Sequence, residues 1–223
     1  VDSSNFGILR EQMWAAAFTA HPYHWPVVGW MSDIENWKID DLKRHFAMGY
    51  SPSNATMVVV GDVTADQIFA LAKQWIEPIP SHDPPPPITT QEPQQMGERR
   101  VEVRKFAQLP VLMMAFHIPT ARDPDVYALE MMRAIMFNGQ SSRLYQRLVD
   151  KGQLAISVGG GWNGFSAGLT FDPSLLSITV QPKAKVDTRD IEKAINEEIE
   201  KMIAAPVTDR ELHRARNQLL ATF

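Results

Sequence analysis

Two histidines three positions apart, His21 and His24, are the side chains that first suggest metal chemistry in this sequence, within the stretch HPYHWP. A catalytic zinc usually takes three protein ligands, and helical histidine pairs that share one ion are four residues apart. Because Pro22 interrupts the pair, the stretch cannot be helical and does not direct both rings at one ion. The spacing therefore favours rings that pack or bind backbone within a turn.

Three other stretches carry residue types that could do chemistry. Ser141 and Ser142 lie outside any G-x-S-x-G pattern and without an evident base, which favours a helix N-cap over a nucleophile. The glycines of residues 157–168 do not form a phosphate loop, and we expect them to permit a close backbone approach or a bulge. Glu197 and Glu198 lie on a heavily charged helix, which predicts a solvated face.

The bulk composition is typical of a globular protein. With 223 residues, 44% of them hydrophobic, the chain can bury one large core or two small ones. A formal net charge of -4 without a basic run gives no basis for binding a phosphate backbone, so we expect no nucleic-acid partner. The absence of cysteine excludes disulfides and thiolate metal sites. No apolar run approaches the roughly 20 residues that span a bilayer.

Hydrophobic periodicity and capping signals predict a mixture of helices and strands. Helix-capping boxes are expected at Thr64 with Gln67 and at Thr208 with Glu211. The predicted helices are residues 8–20, 40–50, 64–75, 124–137, 141–151, 188–205 and 208–223, and the predicted strands are residues 55–63, 99–107, 110–119, 153–162 and 175–182.

A proline-rich stretch divides the chain. Residues 78–96 contain four successive prolines and no hydrophobic period, which indicates a stiff linker. On each side of it, at residues 55–76 and 175–199, a buried strand, a polar turn and a capped helix follow one another, as though one unit occurred twice. The chain opens without Met, on what reads as the middle of an element, so we expect a piece of a longer protein.

Several motifs in order resemble the pitrilysin/insulinase family of zinc metallopeptidases. They are the HPY…P…G stretch from His21, the Y-x-P-x-N pattern from Tyr50, the VVGD strand end at residues 59–62 and the G-x-S-S-R-L stretch from Gly139. The resemblance implies an α+β fold of two-layer helix/sheet domains, the first of them incomplete. Residues 1–80 would be the C-terminal part of the zinc-bearing half, residues 81–96 the linker, and residues 97–223 most of the C-terminal half.

The same resemblance implies a zinc endopeptidase that hydrolyses unfolded or extended peptides in a chamber between two homologous halves. The family's zinc ligands come from an H-x-x-E-H motif and a downstream glutamate, and this sequence contains no such motif. Glu11 is the one early glutamate that could compete, and its place matches the helix after the ligand better. We therefore expect zinc in the full-length parent, no metal or catalytic residue in this chain, and no activity from the chain alone.

Four residues are implied as candidates for substrate binding: Arg143, Tyr145, Val149 and Ile156. Single-chain members of the family supply an Arg and a Tyr near the scissile bond, and the matching positions here hold Val149 and Ile156, which cannot donate to an oxyanion. Two alternatives follow. The chain is part of a zinc-type subunit whose homologous partner carries the Arg and Tyr, or it is a non-catalytic homologue with a structural, substrate-binding or partner role.

Partners and location follow from the resemblance as well. We expect a peptide substrate added to a sheet edge, a homologous partner subunit, and a homo-oligomer that covers the apolar run Met57 to Val60. A general peptide-binding module is a third, simpler hypothesis. Bacterial relatives imply the periplasm or cell envelope, with the cytoplasm as the alternative.

Overall fold

A computed structural model describes residues 4–162 and 172–221 of the chain. Within these ranges the fold is α+β, with helices around a small antiparallel sheet. None of the helices described there is both long and apolar enough to cross a membrane. The elements in chain order are α1 (Asn5–Ala17), a 3-10 turn (Pro22–His24), α2 (Met31–Asn36), α3 (Ile39–Gly49), a second 3-10 turn (Pro52–Asn54), α4 (Ala65–Trp75), β1 (Leu112–Ile118), α5 (Val126–Phe137), a π-helical segment (Tyr145–Asp150), β2 (Ala155–Trp162), β3 (Ser174–Pro182), α6 (Thr188–Ala204) and α7 (Asp209–Leu220).

The chain divides into two compact units. The smaller unit is Ala20–Gln94, and the larger unit combines Val1–Thr19 with Gln95–Phe223. The larger unit includes α1 because this helix contacts β1. These compact units do not test the predicted division of the parent protein into two halves, with residues 1–80 in one half and residues 97–223 in the other, and this division stays a prediction.

The core of the larger unit forms around strand β3. The sheet order is β1-β3-β2, and β3 pairs antiparallel with both neighbours. Ile178 and Val180 of β3 are buried against Ile191 and Ile195 of α6 and against Leu148 of the π-helical segment. A continuous apolar strand such as LLSITV suits this central position, because helices or loops cover both of its faces.

The predicted capping boxes are both confirmed. Thr64 accepts a hydrogen bond from the Gln67 backbone at the start of α4 and Thr208 accepts one from the Glu211 backbone at the start of α7. In each box the side chain at the third helical position returns to the backbone of the cap, which satisfies two donors that the helix leaves unpaired. The helix starts were therefore readable from local residue order alone.

Two predicted strands are wrong. Residues 55–63 and residues 99–107 have strand-like sequences, but neither segment belongs to the sheet among the described residues. A strand is stabilised by the hydrogen-bond ladder and cross-strand side-chain pairs that a neighbour provides. Val58 and Val60 are instead 78% and 92% exposed. The segment has the composition of a buried strand without the neighbours that would bury it.

The glycine-rich stretch behaves as predicted at Gly160. A Cβ added there would lie 2.4 Å from Cε1 of Phe137, so only glycine lets β2 approach α5 this closely. The β2–β3 register also shifts between Ala155 and Ser157, which places a bulge at Ile156. The part of this stretch at residues 163–168 lies outside the described residues.

Candidate functional site

His21 and His24 stabilise a turn, as their spacing predicts. His21 is buried, and its Nδ1 accepts a hydrogen bond of 3.2 Å from the Tyr23 backbone N–H. Nδ1 of His24 lies 2.9 Å from the His21 carbonyl oxygen. Glu92 accepts hydrogen bonds from the backbone N–H groups of Ala20 and His21, at 2.9 and 3.0 Å. Each ring is therefore engaged with backbone of its own unit.

Within the part of the chain that the structure describes, the donor groups do not fit the zinc ion that the resemblance implies for the parent. Among residues 4–162 and 172–221, no three His, Cys, Asp or Glu side chains are grouped closely enough to hold a metal. The Nδ1 atoms of His21 and His24 are both engaged with the backbone of their turn. We therefore assign no chemical step through a metal to these residues.

An ion pair between Arg143 and Glu211 connects distant parts of the larger unit. Nε of Arg143 lies 2.7 Å from Oε1 of Glu211, and Nη2 lies 3.0 Å from Oε2. Both side chains are mostly buried, at 17% and 20% exposure. This paired geometry is the strong form of a carboxylate–guanidinium contact. It joins the start of α7 to the segment that precedes Tyr145.

The ion pair shifts the pKa values of both Glu211 and Arg143. The pKa of Glu211 is lowered from 4.5 to about 2, chiefly by the hydrogen bonds from Arg143; partial burial opposes this shift, and hydrogen bonds from the Thr208 backbone and hydroxyl contribute to it. The same contact raises the pKa of Arg143. Glu211 therefore stays ionised across the neutral and mildly acidic range. The sequence indicated Glu211 only as a helix cap, because nothing local relates it to a residue 68 positions earlier.

A second set of ion pairs corrects the expectation for the charged face of α6. Arg147 lies 2.8 Å from Glu197, and this hydrogen bond lowers the pKa of Glu197. Glu198 is buried, with 8% of its surface exposed, and it pairs with Lys201 at 2.6 Å and with Arg147 at 4.0 Å. The prediction of a solvated face is wrong for Glu198, because the π-helical segment packs against α6 at this position.

The four candidate substrate-binding residues lie close in sequence but differ in environment. Arg143 is held by Glu211, Tyr145 is half-buried, and Val149 packs against the main core. Ile156 is 48% exposed at the bulge in β2. No side-chain hydrogen bond or ion pair among the described residues joins two of the four. Their role in substrate binding stays a prediction, and Ile156 is the member whose side chain is most available to a ligand.

Ser142 has the position of a helix cap but uses its hydroxyl differently from the prediction. Its carbonyl accepts from the Gln146 backbone N–H, as an N-cap carbonyl does. Its side chain donates a 2.8 Å hydrogen bond to the carbonyl of Gly139, whose φ of +72° requires glycine. The buried hydroxyl closes the turn rather than capping the helix.

The larger unit has a groove that was not visible from the sequence. The groove, of about 1280 Å³, is lined by α1, β1, the start of α6 and residues 99–105, which belong to the segment of residues 99–106 that we call the arm. The arm is held to α1 at both ends, since Arg99 donates to the carbonyls of Ala16 and Ala17 at 2.8 and 3.0 Å, and Asn5 donates to the carbonyl of Phe106 at 2.9 Å.

Comparison with known proteins identifies the family. The model of the peptidase M16 inactive domain matches residues 36–219. The zinc protease PqqE of Helicobacter pylori is 30% identical over 226 residues, which covers 100% of this chain and 50% of that protein. An uncharacterized zinc protease of Rickettsia bellii is 21% identical over 216 residues, which covers 95% and 49%. The chain thus spans about half the length of these two relatives.

Solved structures agree with this assignment. The crystal structure of a protease from Helicobacter pylori matches with a TM-score of 0.90 and 30% identity, covering 100% of this chain and 53% of that one. A peptidase M16 inactive domain from Pseudomonas fluorescens matches the fold with a TM-score of 0.80 at 20% identity, covering 97% and 51%. The motifs, the fold and these similarities together show that the chain belongs to the M16 family of peptidases, in the part that includes its inactive domain.

Proposed function

We propose that this chain is a non-catalytic, substrate-holding part of a zinc-dependent endopeptidase that hydrolyses unfolded or extended peptides between two homologous halves. The observation that carries the proposal is the 30% identity to a zinc protease along the whole of this chain. Zinc would be bound outside these residues, whose own donor groups do not form a metal site in the described ranges.

This chain would contribute to substrate binding through apolar contacts and the shape of its surface. Ile156 is exposed and Val149 is partly buried against the main core, so both positions offer only apolar surface. Neither side chain can donate a hydrogen bond to a developing oxyanion, which is the type of interaction that most lowers the barrier of acyl transfer. The donors that stabilise the transition state would then come from a homologous partner subunit.

A second function is also consistent with the lack of hydrogen-bond donors on the side chains of Val149 and Ile156. If no partner supplies the missing donors, the protein is a non-catalytic homologue that binds peptide or supports another subunit. The match to a domain described as inactive supports this alternative equally. The two functions differ in one observable, which is turnover of peptide.

An assay on the full-length parent separates them. Unstructured peptides would be incubated with the parent, with and without its homologous partner, and with and without a chelator; this chain alone is the matched control. Peptide cleavage that the chelator abolishes and added zinc restores supports the endopeptidase. Cleavage that is indifferent to chelation contradicts the zinc assignment, and binding without cleavage under every condition supports the non-catalytic alternative.

The cellular location of the parent is part of the proposal. Bacterial relatives of this kind suggest the periplasm or cell envelope, where unfolded peptides are available as substrates. Fractionation of cells that carry the tagged full-length gene tests this directly. Recovery of the parent in the cytoplasmic fraction would contradict it.

A further inference from the structure

Gln153 adopts a backbone conformation that residues with a side chain usually avoid. Its φ is +52°, in the left-handed region that favours glycine. Only one other non-glycine residue in the described ranges, Lys185 at +66°, shares this region. Backbone strain of this kind persists where surrounding contacts over-determine it, and it is concentrated at functional positions. The contacts of Gln153 therefore have to account for its presence here.

The glycine next to Gln153 does not relieve this strain, because it serves a different contact. Gly152 has a negative φ, and a Cβ added there would lie 2.0 Å from the carbonyl oxygen of Arg147. Glycine at position 152 thus lets the chain pass close to the backbone of the π-helical segment. The left-handed turn of the connection is left to Gln153.

The side-chain amide of Gln153 closes the C-terminal end of the π-helical segment. Its Nε2 donates to the carbonyl oxygens of Val149 and Asp150, at 2.9 and 2.7 Å. A primary amide nitrogen has two hydrogens, so both are used, and the acceptors are carbonyls of a last helical turn, which a helix leaves unpaired. Nζ of Lys183, just after β3, donates to Oε1 of the same amide. Glycine would adopt this φ more easily, but it could make none of these three contacts.

The backbone that follows ties the π-helical segment to β2. The N–H of Leu154 donates to the carbonyl of Leu148 at 2.8 Å, and the carbonyl of Leu154 accepts from the N–H of Lys183 at 2.9 Å. Two residues later, Ile156 lies in the bulge and has no partner in the register with β3. Because β3 does not fix Ile156 through a paired position, the direction of its side chain depends on the connection that precedes it.

We propose that Gln153 is a positioning residue for the apolar peptide-contact surface of Val149 and Ile156. Its side chain holds the backbone of Val149, and its left-handed backbone sets the direction in which the chain enters β2 towards Ile156. An extended peptide then meets both side chains in one fixed arrangement, so little conformational entropy is lost in ordering them on binding. The inference rests on the proposed substrate-holding function, and Gln153 acts through these two residues without touching the peptide.

Gln153→Gly separates positioning from stability. Glycine relieves the backbone strain and removes the three side-chain contacts, and because these effects oppose each other the urea midpoint of unfolding should change little. Lys185→Gly is the matched control, since it relieves the same kind of strain in the turn between β3 and α6.

Amide ¹⁵N relaxation of the chain measures the positioning itself. In Gln153→Gly, the backbone order parameters of Val149 and Ile156 should fall from about 0.85, typical of rigid backbone, towards about 0.6. In Lys185→Gly they should not change. Unchanged order parameters in Gln153→Gly would overturn the inference, whether or not the protein binds peptide.

Peptide affinity measures the consequence for function. Fluorescein-labelled casein peptides would be titrated into the full-length parent with its homologous partner, with a chelator present so that bound peptide is not cleaved, and the Kd measured by anisotropy. Gln153→Gly should raise the Kd by about fivefold or more, because the two contact residues must then be ordered on binding. Lys185→Gly should change it by less than about twofold. Gln153→Glu, which keeps the shape of the side chain but replaces both N–H donors by oxygen, should also raise the Kd.

The outcomes distinguish this inference from the proposed function. If the wild-type parent binds no casein peptide, the substrate-holding function is wrong, and the inference is wrong with it. If the wild type binds and Gln153→Gly binds equally tightly, the function stands and the inference is wrong. Equal losses of affinity in both glycine variants, or a loss in Gln153→Gly that accompanies a fall in its urea midpoint, would show general destabilisation and would also overturn the inference.

Discussion

The two compact units of this chain both contain apolar side chains, but they differ greatly in how many of these side chains are buried. In the larger unit, α5, α6 and all three strands bury aliphatic side chains in one core. In the smaller unit, only His21 and Ser51 are buried among the described residues, and Phe46, Phe69 and Trp75 are exposed. Apolar pattern alone therefore does not produce a core; the elements that pair with it must also be present.

The first prediction exploits the contrast in burial. Ile195→Ala removes a fully buried side chain from the core of the larger unit and should lower the free energy of unfolding by about 3 kcal/mol, through lost burial and the cavity left behind. Phe69→Ala in the smaller unit, the matched control, should change it by less than about 0.5 kcal/mol. Urea unfolding followed by circular dichroism measures both. Equal effects would contradict the contrast.

The second prediction concerns the approach of β2 to α5. Gly160→Ala should destabilise the larger unit by about 2 kcal/mol, because the added methyl group meets the Phe137 ring. Gly159→Ala is the matched control, since its Cβ would have no neighbour within 4 Å. Replacing Phe137 by Leu should restore part of the stability lost in Gly160→Ala. A large loss in both glycine variants would indicate a general strand effect instead of the close contact.

The third prediction uses the ion pair at the start of α7. Glu211→Gln should lower the free energy of unfolding at pH 7 by about 1.5 kcal/mol, a typical value for hydrogen bonds to a charged group. The exposed Glu102, which pairs with Arg104, is the control, and Glu102→Gln should have a much smaller effect.

The pH dependence of this difference has a definite sign. The pKa of Glu211 falls from 4.5 to about 2 on folding, so the carboxylate contributes its full stability above pH 4.5 and loses it as the pH falls towards 2. The stability difference between the wild type and Glu211→Gln should therefore shrink between pH 5 and pH 2. A difference that is constant with pH would show that the ion pair does not stabilise the fold.

The smallest expected effect compares the two capping boxes. Thr208→Ala should cost the larger unit about 1 kcal/mol, because the Glu211 backbone N–H loses its acceptor at the start of α7. Thr64→Ala removes the equivalent cap from α4 and should leave the main unfolding transition unchanged, since α4 buries no residue. A shift of the main transition by Thr64→Ala would mean that the smaller unit unfolds together with the core.

Sequence reasoning succeeded where the information is local. The periodicity of α5 and α6 and the residue order at Thr64 and Thr208 depend on neighbours within one or two turns, so these elements are as predicted. It failed at residues 55–63 and 99–107, because a strand depends on a partner that the strand's own sequence does not specify.

The candidate site shows the same limit. The turn at His21 and the cap position of Ser142 follow from their immediate neighbours, and both were predicted in position. The Arg143–Glu211 ion pair and the burial of Glu198 depend on how distant helices pack, which no local pattern contains. The groove between β1 and the arm is likewise a product of tertiary structure.

Hydrogen exchange measured by mass spectrometry tests the contrast between the two units most directly. In the wild-type chain, amides of β3 and α6 should exchange only through global unfolding, whereas amides of α3 and α4 should exchange faster by orders of magnitude, because short helices without buried faces open locally. Exchange of α3 and α4 as slow as that of α6 would contradict the account and show that the smaller unit has a stable core of its own.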